Sequence, residues 1–132
     1  MTSHRLETHP IHLGLGAKAV PQPEFAGGMD WYDAYSRRTE ADGAEGRLVA
    51  VHRFAESWTS WEMHPSGDEV VLCLSGTMTL HQEHPDGRHE TVTLDPGQYA
   101  VNPPAVWHTA DLDAPVEALF ITAGLGTIHR PR

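Results

Sequence analysis

The sequence predicts an all-β protein folded as a sandwich or barrel. Three observations support this. Short apolar or alternating runs recur from Arg47 onward. Turn signals separate them at intervals of about 8–12 residues. Tight corners (Asp86-Gly87, Asp95-Pro96-Gly97, Pro103-Pro104) interrupt what would otherwise be longer strands.

Taken in order, residues 1–28 are rich in glycine and proline and weakly periodic, so they predict an irregular arm holding one short strand. A short helix follows near residues 30–41, with Asp30 as its N-cap. Trp31, Ala34, Tyr35 and Arg38 share one side of it at helical spacing, and Gly43 and Gly46 end it. Leu48–Phe54 is apolar and β-branched, the composition of a strand. Val70–Leu74 is a continuous apolar run between Gly67 and Gly76, as expected of a strand buried on both faces. Thr77–His81 and Thr91–Leu94 alternate with period two, and the turn His84-Pro85-Asp86-Gly87 lies between them. Gln98–Val101, Val106–Ala110 and Val116–Thr122 complete the set. There is no internal repeat and no low-complexity linker.

The 132 residues suit one domain with one core. Within it, 1–45 form the arm and helix and 46–122 the barrel. Hydrophobic residues are 39% and charged residues 20%, ordinary for a folded chain. No apolar run approaches the roughly 20 residues that span a bilayer. Met1–Pro10 lacks the apolar segment of a signal peptide, so a cytoplasmic location is expected. The net charge is −9, and Arg37-Arg38 is the only basic pair before the tail, which argues against nucleic acid and anionic membranes as partners. The single cysteine, Cys73, lies in an apolar run and reads as a buried core residue rather than a reactive thiol.

The chemistry concentrates in two segments. The first is Trp61-Glu62-Met63-His64-Pro65-Ser66-Gly67-Asp68-Glu69. Glu62 and His64 are two apart, so on a strand both project to one face. Glu69 opens the next strand, and pairing the two strands as a hairpin would bring it opposite Glu62 and His64. His108, in the second segment, must be delivered by the fold from a distant strand. Two imidazoles with one or two carboxylates suit Fe, Mn, Zn, Ni or Cu better than Ca or Mg.

The turns around these residues resemble the two-part motif of the cupin superfamily, in its small single-domain form (cupin 2 type). Four residues separate His64 from Glu69, and six more precede Gly76. Gly97, five residues, Pro103, Ala105, two residues and His108 follow the second motif. The resemblance covers roughly residues 46–122 and implies a jelly-roll β-barrel with a metal site. Glu62 stands where the family has its first histidine, Glu56 replaces the opening glycine, Ala105 the second-motif glycine and Leu112 the terminal asparagine. The Ala105 change is mild if that residue keeps φ below zero.

What the resemblance implies is a divalent transition metal held by Glu62, His64, Glu69 and His108, or by the last three with Glu62 as a general base. The reaction would be of oxygenase, isomerase or epimerase, or lyase type on a small organic molecule. The alternative is a cupin that binds or senses a small molecule without turnover. His52, Trp61, Met78, Tyr99 and Trp107 are candidates to line the substrate pocket, each with a packing or surface role as its competitor. His81, His84 and His89 around the turn read as solvated. The arm cannot bury itself as an isolated strand, so a homodimer is expected.

Overall fold

The computed structural model describes residues 1–132. Its strands are β1 (Ile11–Leu13), β2 (Ala19–Pro21), β3 (Arg47–Phe54), β4 (Ser60–Met63), β5 (Glu69–Ser75), β6 (Met78–Glu83), β7 (His89–Leu94), β8 (Tyr99–Asn102), β9 (Trp107–Asp111), β10 (Val116–Thr122) and β11 (Ile128–Pro131). One helix, α1 (Gly28–Arg38), precedes β3. The strands form two antiparallel sheets, ordered β2-β1-β3-β10-β5-β8 and β11-β4-β9-β6-β7. Consecutive strands repeatedly change sheet, so residues far apart in sequence become neighbours across the sandwich.

The helix begins earlier than the sequence suggests. Gly27, at φ 74°, is the N-cap, and Asp30 lies inside the first turn, where its charge favours the helix dipole. The anchor is Trp31: its ring packs on Phe25 at 5.1 Å, and its Nε1 donates to the Glu24 carbonyl at 3.1 Å. A 3-10 segment, Glu40–Glu45, then leads into β3.

The arm is also more ordered than its composition implies. It forms a hairpin, β1 with β2, and β1 pairs with β3 in register Ile11 to Val49. It therefore finds its strand partner within its own chain. A buried pair holds it: His12 Nε2 lies 2.6 Å from Asp42 Oδ2, and His12 Nδ1 lies 2.7 Å from the Tyr35 hydroxyl. Lys18 adds an ion pair to Asp42 at 3.0 Å.

The core occupies one end of the barrel. Val71, Cys73, Met78, Leu80, Leu94, Ala110, Val116, Ala118 and Phe120 are all buried there. Cys73 is a core residue as expected, and burial pushes its thiol above the ordinary value. β5 is not buried on both faces. Its odd positions point inward, and Leu74 is 38% exposed. The apolar run misleads because this sheet covers the core with one face only. Gly76 (φ 78°) turns β5 into β6, where a Cβ would sit 2.5 Å from the Pro115 carbonyl, so no side chain fits.

At the Pro103-Pro104 corner, Ala105 has φ 64°. The glycine-to-alanine change there is therefore not mild: an alanine in the left-handed region costs about 1–2 kcal/mol.

The largest correction concerns β4 and β5, which do not pair. β4 lies between β9 and β11, whereas β5 lies between β10 and β8. The loop Pro65–Asp68 carries the chain from one sheet to the other. Gly67 is needed in it because a Cβ would lie 2.8 Å from that of Ala123. β11, beyond residue 122, completes the second sheet by pairing with β4.

Candidate metal centre

Glu62 projects from β4, and His108 from β9 stands directly opposite it. His64 follows one residue after β4 ends, at the start of the crossing loop. Glu69 is the first residue of β5, in register with Asn102 on β8 and Thr122 on β10. The four sequence-predicted ligands thus meet, with Glu69 arriving across the sandwich rather than along a hairpin.

Their ligand atoms all lie within 4.8 Å of one another. His64 Nε2 is 2.9 Å from Glu62 Oε1 and 3.0 Å from Glu69 Oε2. His108 Nε2 is 3.2 Å from Glu69 Oε1 and 4.0 Å from Glu62 Oε1. Despite these separations, neither Nε2 has a hydrogen-bond partner, and both are buried. The donors converge side by side instead of pairing head-on, which is the arrangement a shared cation needs. Side-chain exposure is 1–3% for His64, Glu69 and His108, against 28% for Glu62. The site therefore meets solvent at Glu62.

The surroundings orient these groups. The Thr127 hydroxyl donates to the Gly124 carbonyl at 2.7 Å, so it accepts from His64 Nδ1, also at 2.7 Å. That places the neutral imidazole's proton on Nδ1 and its lone pair on Nε2, the tautomer a metal requires. Glu69 accepts from Asn102 Nδ2 at 3.1 Å and from the Thr122 hydroxyl at 2.7 Å. Gln82 Nε2 donates to Asn102 Oδ1 at 2.7 Å and so fixes that amide. On the outer side, His129 Nε2 lies 3.0 Å from Glu62 Oε2.

Charge follows from this packing. Burial opposes charge on His64, but the adjoining Glu62 and Glu69 carboxylates outweigh it and lift the imidazole to about 9. Burial would raise Glu69, yet His108 and His64 hold it well below the usual carboxylate range. Glu62 is lowered in the same way, with burial opposed chiefly by His64. One buried and one half-buried carboxylate so placed favour positive charge among them, and a divalent cation would neutralise the pair. Donor chemistry, tautomer and unpartnered nitrogens all fit a metal.

The expected pocket residues divide. His52, on β3, packs among Phe25, Phe54 and Phe120; burial lowers its pKa, and the Glu62 and Glu69 charges partly oppose that. Met78 is fully buried in the core. Tyr99 is 67% exposed on the edge strand β8. Trp61 and Trp107 pack around the Arg130 guanidinium at 5.4 and 4.5 Å, and Arg130 pairs with Glu83. Strand alternation explains this, because the neighbours of inward Glu62 and His108 must face outward. Two of the turn histidines are not free in solvent: His81 pairs with Asp111 at 2.8 Å and His84 with Glu90 at 2.7 Å.

The sequence reading missed Tyr32. Burial, then the charges of Glu62 and Glu69, push its hydroxyl up to about 12. It also missed Thr127 and His129, which lie beyond the motif span.

Solved structures share this architecture. A hydroquinone 1,2-dioxygenase from Sphingomonas sp. TTNP3, with 4-hydroxybenzoate bound, aligns with TM-score 0.51 at 18% identity over 58% of this chain. An oxalate oxidase aligns with TM-score 0.55 at 13% identity over 62%. An oxalate decarboxylase aligns with TM-score 0.55 at 17% identity over 73%. The chain spans 59%, 45% and 26% of those proteins' own lengths. No protein-family model matches the chain, and no curated protein matches it. Identities this low speak to the fold and not to the reaction. Sheet order, the crossing loop and these neighbours agree: the chain has the jelly-roll β-barrel fold of the cupin superfamily.

Proposed function

We propose that the protein holds a divalent transition metal through Glu62, His64, Glu69 and His108 and acts there on a small organic molecule. The observation that carries this is the pair of buried imidazole Nε2 atoms without partners, set among two carboxylates. Fe, Mn, Zn, Ni or Cu suits such a mixed donor set. When bound, the metal would supply Lewis acidity, or oxygen activation if it is redox-active.

The chain's own residues would do the rest. Asn102 and Thr122 hold both Glu69 oxygens, so that carboxylate is fixed in place. Glu62 is more exposed, and outside the cluster only His129 holds it, so it is the ligand able to shift as a substrate enters. The apolar core closes the opposite end of the barrel and excludes water from behind the site. Neighbours of the same fold include two enzymes of oxalate and one dioxygenase, which supports small-molecule chemistry as the class. No helix is long and apolar enough to cross a membrane.

Elemental analysis of protein produced with each metal in turn tests the reading. The expected result is near one equivalent, abolished in His64→Ala and His108→Ala. Metal-free protein whose melting temperature ignores all five metals would overturn it. Self-association into a homodimer is part of the same proposal, with Leu13, Leu15 and Val20 of the arm exposed (38%, 47%, 40%) to provide a contact; light scattering checks it.

A further inference from the structure

The arm hairpin and the end of α1 flank a cleft of about 410 Å³, to which none of the four cluster residues contributes. His12, Lys18, Gln22, Arg38, Thr39 and Asp42 line it, and Val20 and two prolines supply its only apolar wall. Its volume is within the range of small-molecule sites, roughly 300–1,000 Å³. Such a lining rewards a polar ligand, because an apolar one would bury little apolar surface against it.

Buried polar groups fix the two cations of this cleft. His12, Gln22 and Asp42 are 2%, 6% and 5% exposed. Asp42 takes His12 Nε2 at 2.6 Å, the Leu15 N–H at 3.3 Å and the Lys18 ammonium at 3.0 Å, so its acceptor sites are filled. A Cβ on Gly14 would sit 2.5 Å from Lys18 Cε, so the bare backbone there gives the lysine its path. The Gln22 amide donates to the Val20 carbonyl at 3.1 Å, and its oxygen accepts from Arg38 Nε at 3.3 Å and Nη2 at 3.1 Å. Arg38 has no carboxylate partner: it meets that neutral amide and the Trp31 ring. Two cations against one carboxylate leave one positive charge over, in a chain of net charge −9.

We propose that this cleft is a second ligand site, taking a small hydroxylated molecule that carries one carboxylate. Arg38 receives the carboxylate. Gln22 occupies the Nε edge of the guanidinium, and the Nη1–Nη2 edge is left for two parallel bonds. Lys18 adds the second positive charge, and the single surplus charge matches a monoanion. Thr39 Oγ1 already donates to the Tyr35 carbonyl at 2.9 Å, so it can only accept, which suits a hydroxyl on the ligand. The site does not depend on a metal at Glu62, His64, Glu69 and His108.

Amide-shift titration of the full chain tests this, because it locates binding by residue. The probes are gluconate, sorbitol (the same polyol without the carboxylate) and inorganic phosphate. Gluconate should saturate, with shifts concentrated at 18–23 and 38–42, and sorbitol should not. Arg38→Gln should weaken gluconate roughly tenfold, and Arg38→Lys should recover only part of that, since lysine keeps the charge and lacks the planar fork. Lys18→Gln should weaken it severalfold. Sorbitol binding like gluconate would overturn the proposal, as would an Arg38→Gln protein that binds gluconate like the parent. Gluconate shifts confined to 62–69 and 106–109 would place the ligand at the metal cluster instead. Phosphate binding as tightly as gluconate would overturn the carboxylate assignment.

Discussion

Glu62 and His108 are direct cross-strand partners on β4 and β9, the one register pair joining those strands. The residue that departs from the family's histidine is therefore placed to share a ligand with His108, not turned away from it. Glu62→Gln keeps the shape and removes the charge. It should lower divalent-metal affinity roughly tenfold to a hundredfold, with the fold unchanged. Titration calorimetry with circular dichroism checks both halves.

His129 is the only side chain holding the outer oxygen of Glu62. His129→Ala should weaken metal binding about tenfold without moving the melting temperature of the metal-free protein, and His129→Gln should recover much of the loss. Unchanged affinity in His129→Ala would show that Glu62 needs no such support.

Metal uptake should release a proton. In metal-free protein the flanking carboxylates lift His64 to about 9. Below that pH the ring must lose a proton to present its lone pair. Apparent affinity should thus rise with pH and level off near 9. Calorimetry in two buffers of different ionisation enthalpy counts the proton.

Asp42 links the arm to the rest of the fold. His12, then Lys18, holds its carboxyl below the ordinary range. A depressed folded-state pKa stabilises above the unfolded value, about 4 for Asp, and the benefit disappears as pH falls through the folded value. The melting-temperature advantage of the parent over Asp42→Asn should be full at neutral pH and fade below pH of about 4.

Ala105→Gly should stabilise the protein by about 1 kcal/mol, because φ 64° strains an alanine and not a glycine. Urea denaturation reads this directly. A loss of stability would mean that the methyl packs well enough to offset the strain.

Most of the barrel was legible because β-branched runs and proline corners mark strands locally. The four ligands were legible because turn spacing around His64, Glu69 and His108 is itself a constraint on geometry. The β4–β5 pairing was misread because adjacency in sequence suggests a hairpin, whereas Pro65 and Gly67 let the chain change sheets. Trp61 and Trp107 looked like pocket walls from proximity to the motifs, but alternation turns them outward onto Arg130. Thr127 and His129 carry no local signal. Their roles exist only once the C-terminal segment and β11 fold back onto the barrel.

The crossing between sheets gives the site a mechanical meaning. Glu62 and His108 belong to one sheet and Glu69 to the other, with His64 on the span between them. An ion gripped by all four would rivet the two halves of the sandwich at the end away from the apolar core. Without that rivet, the open end should breathe first, and amide exchange at 62–69 and 106–109 should quicken while the Met78–Leu80 end stays slow.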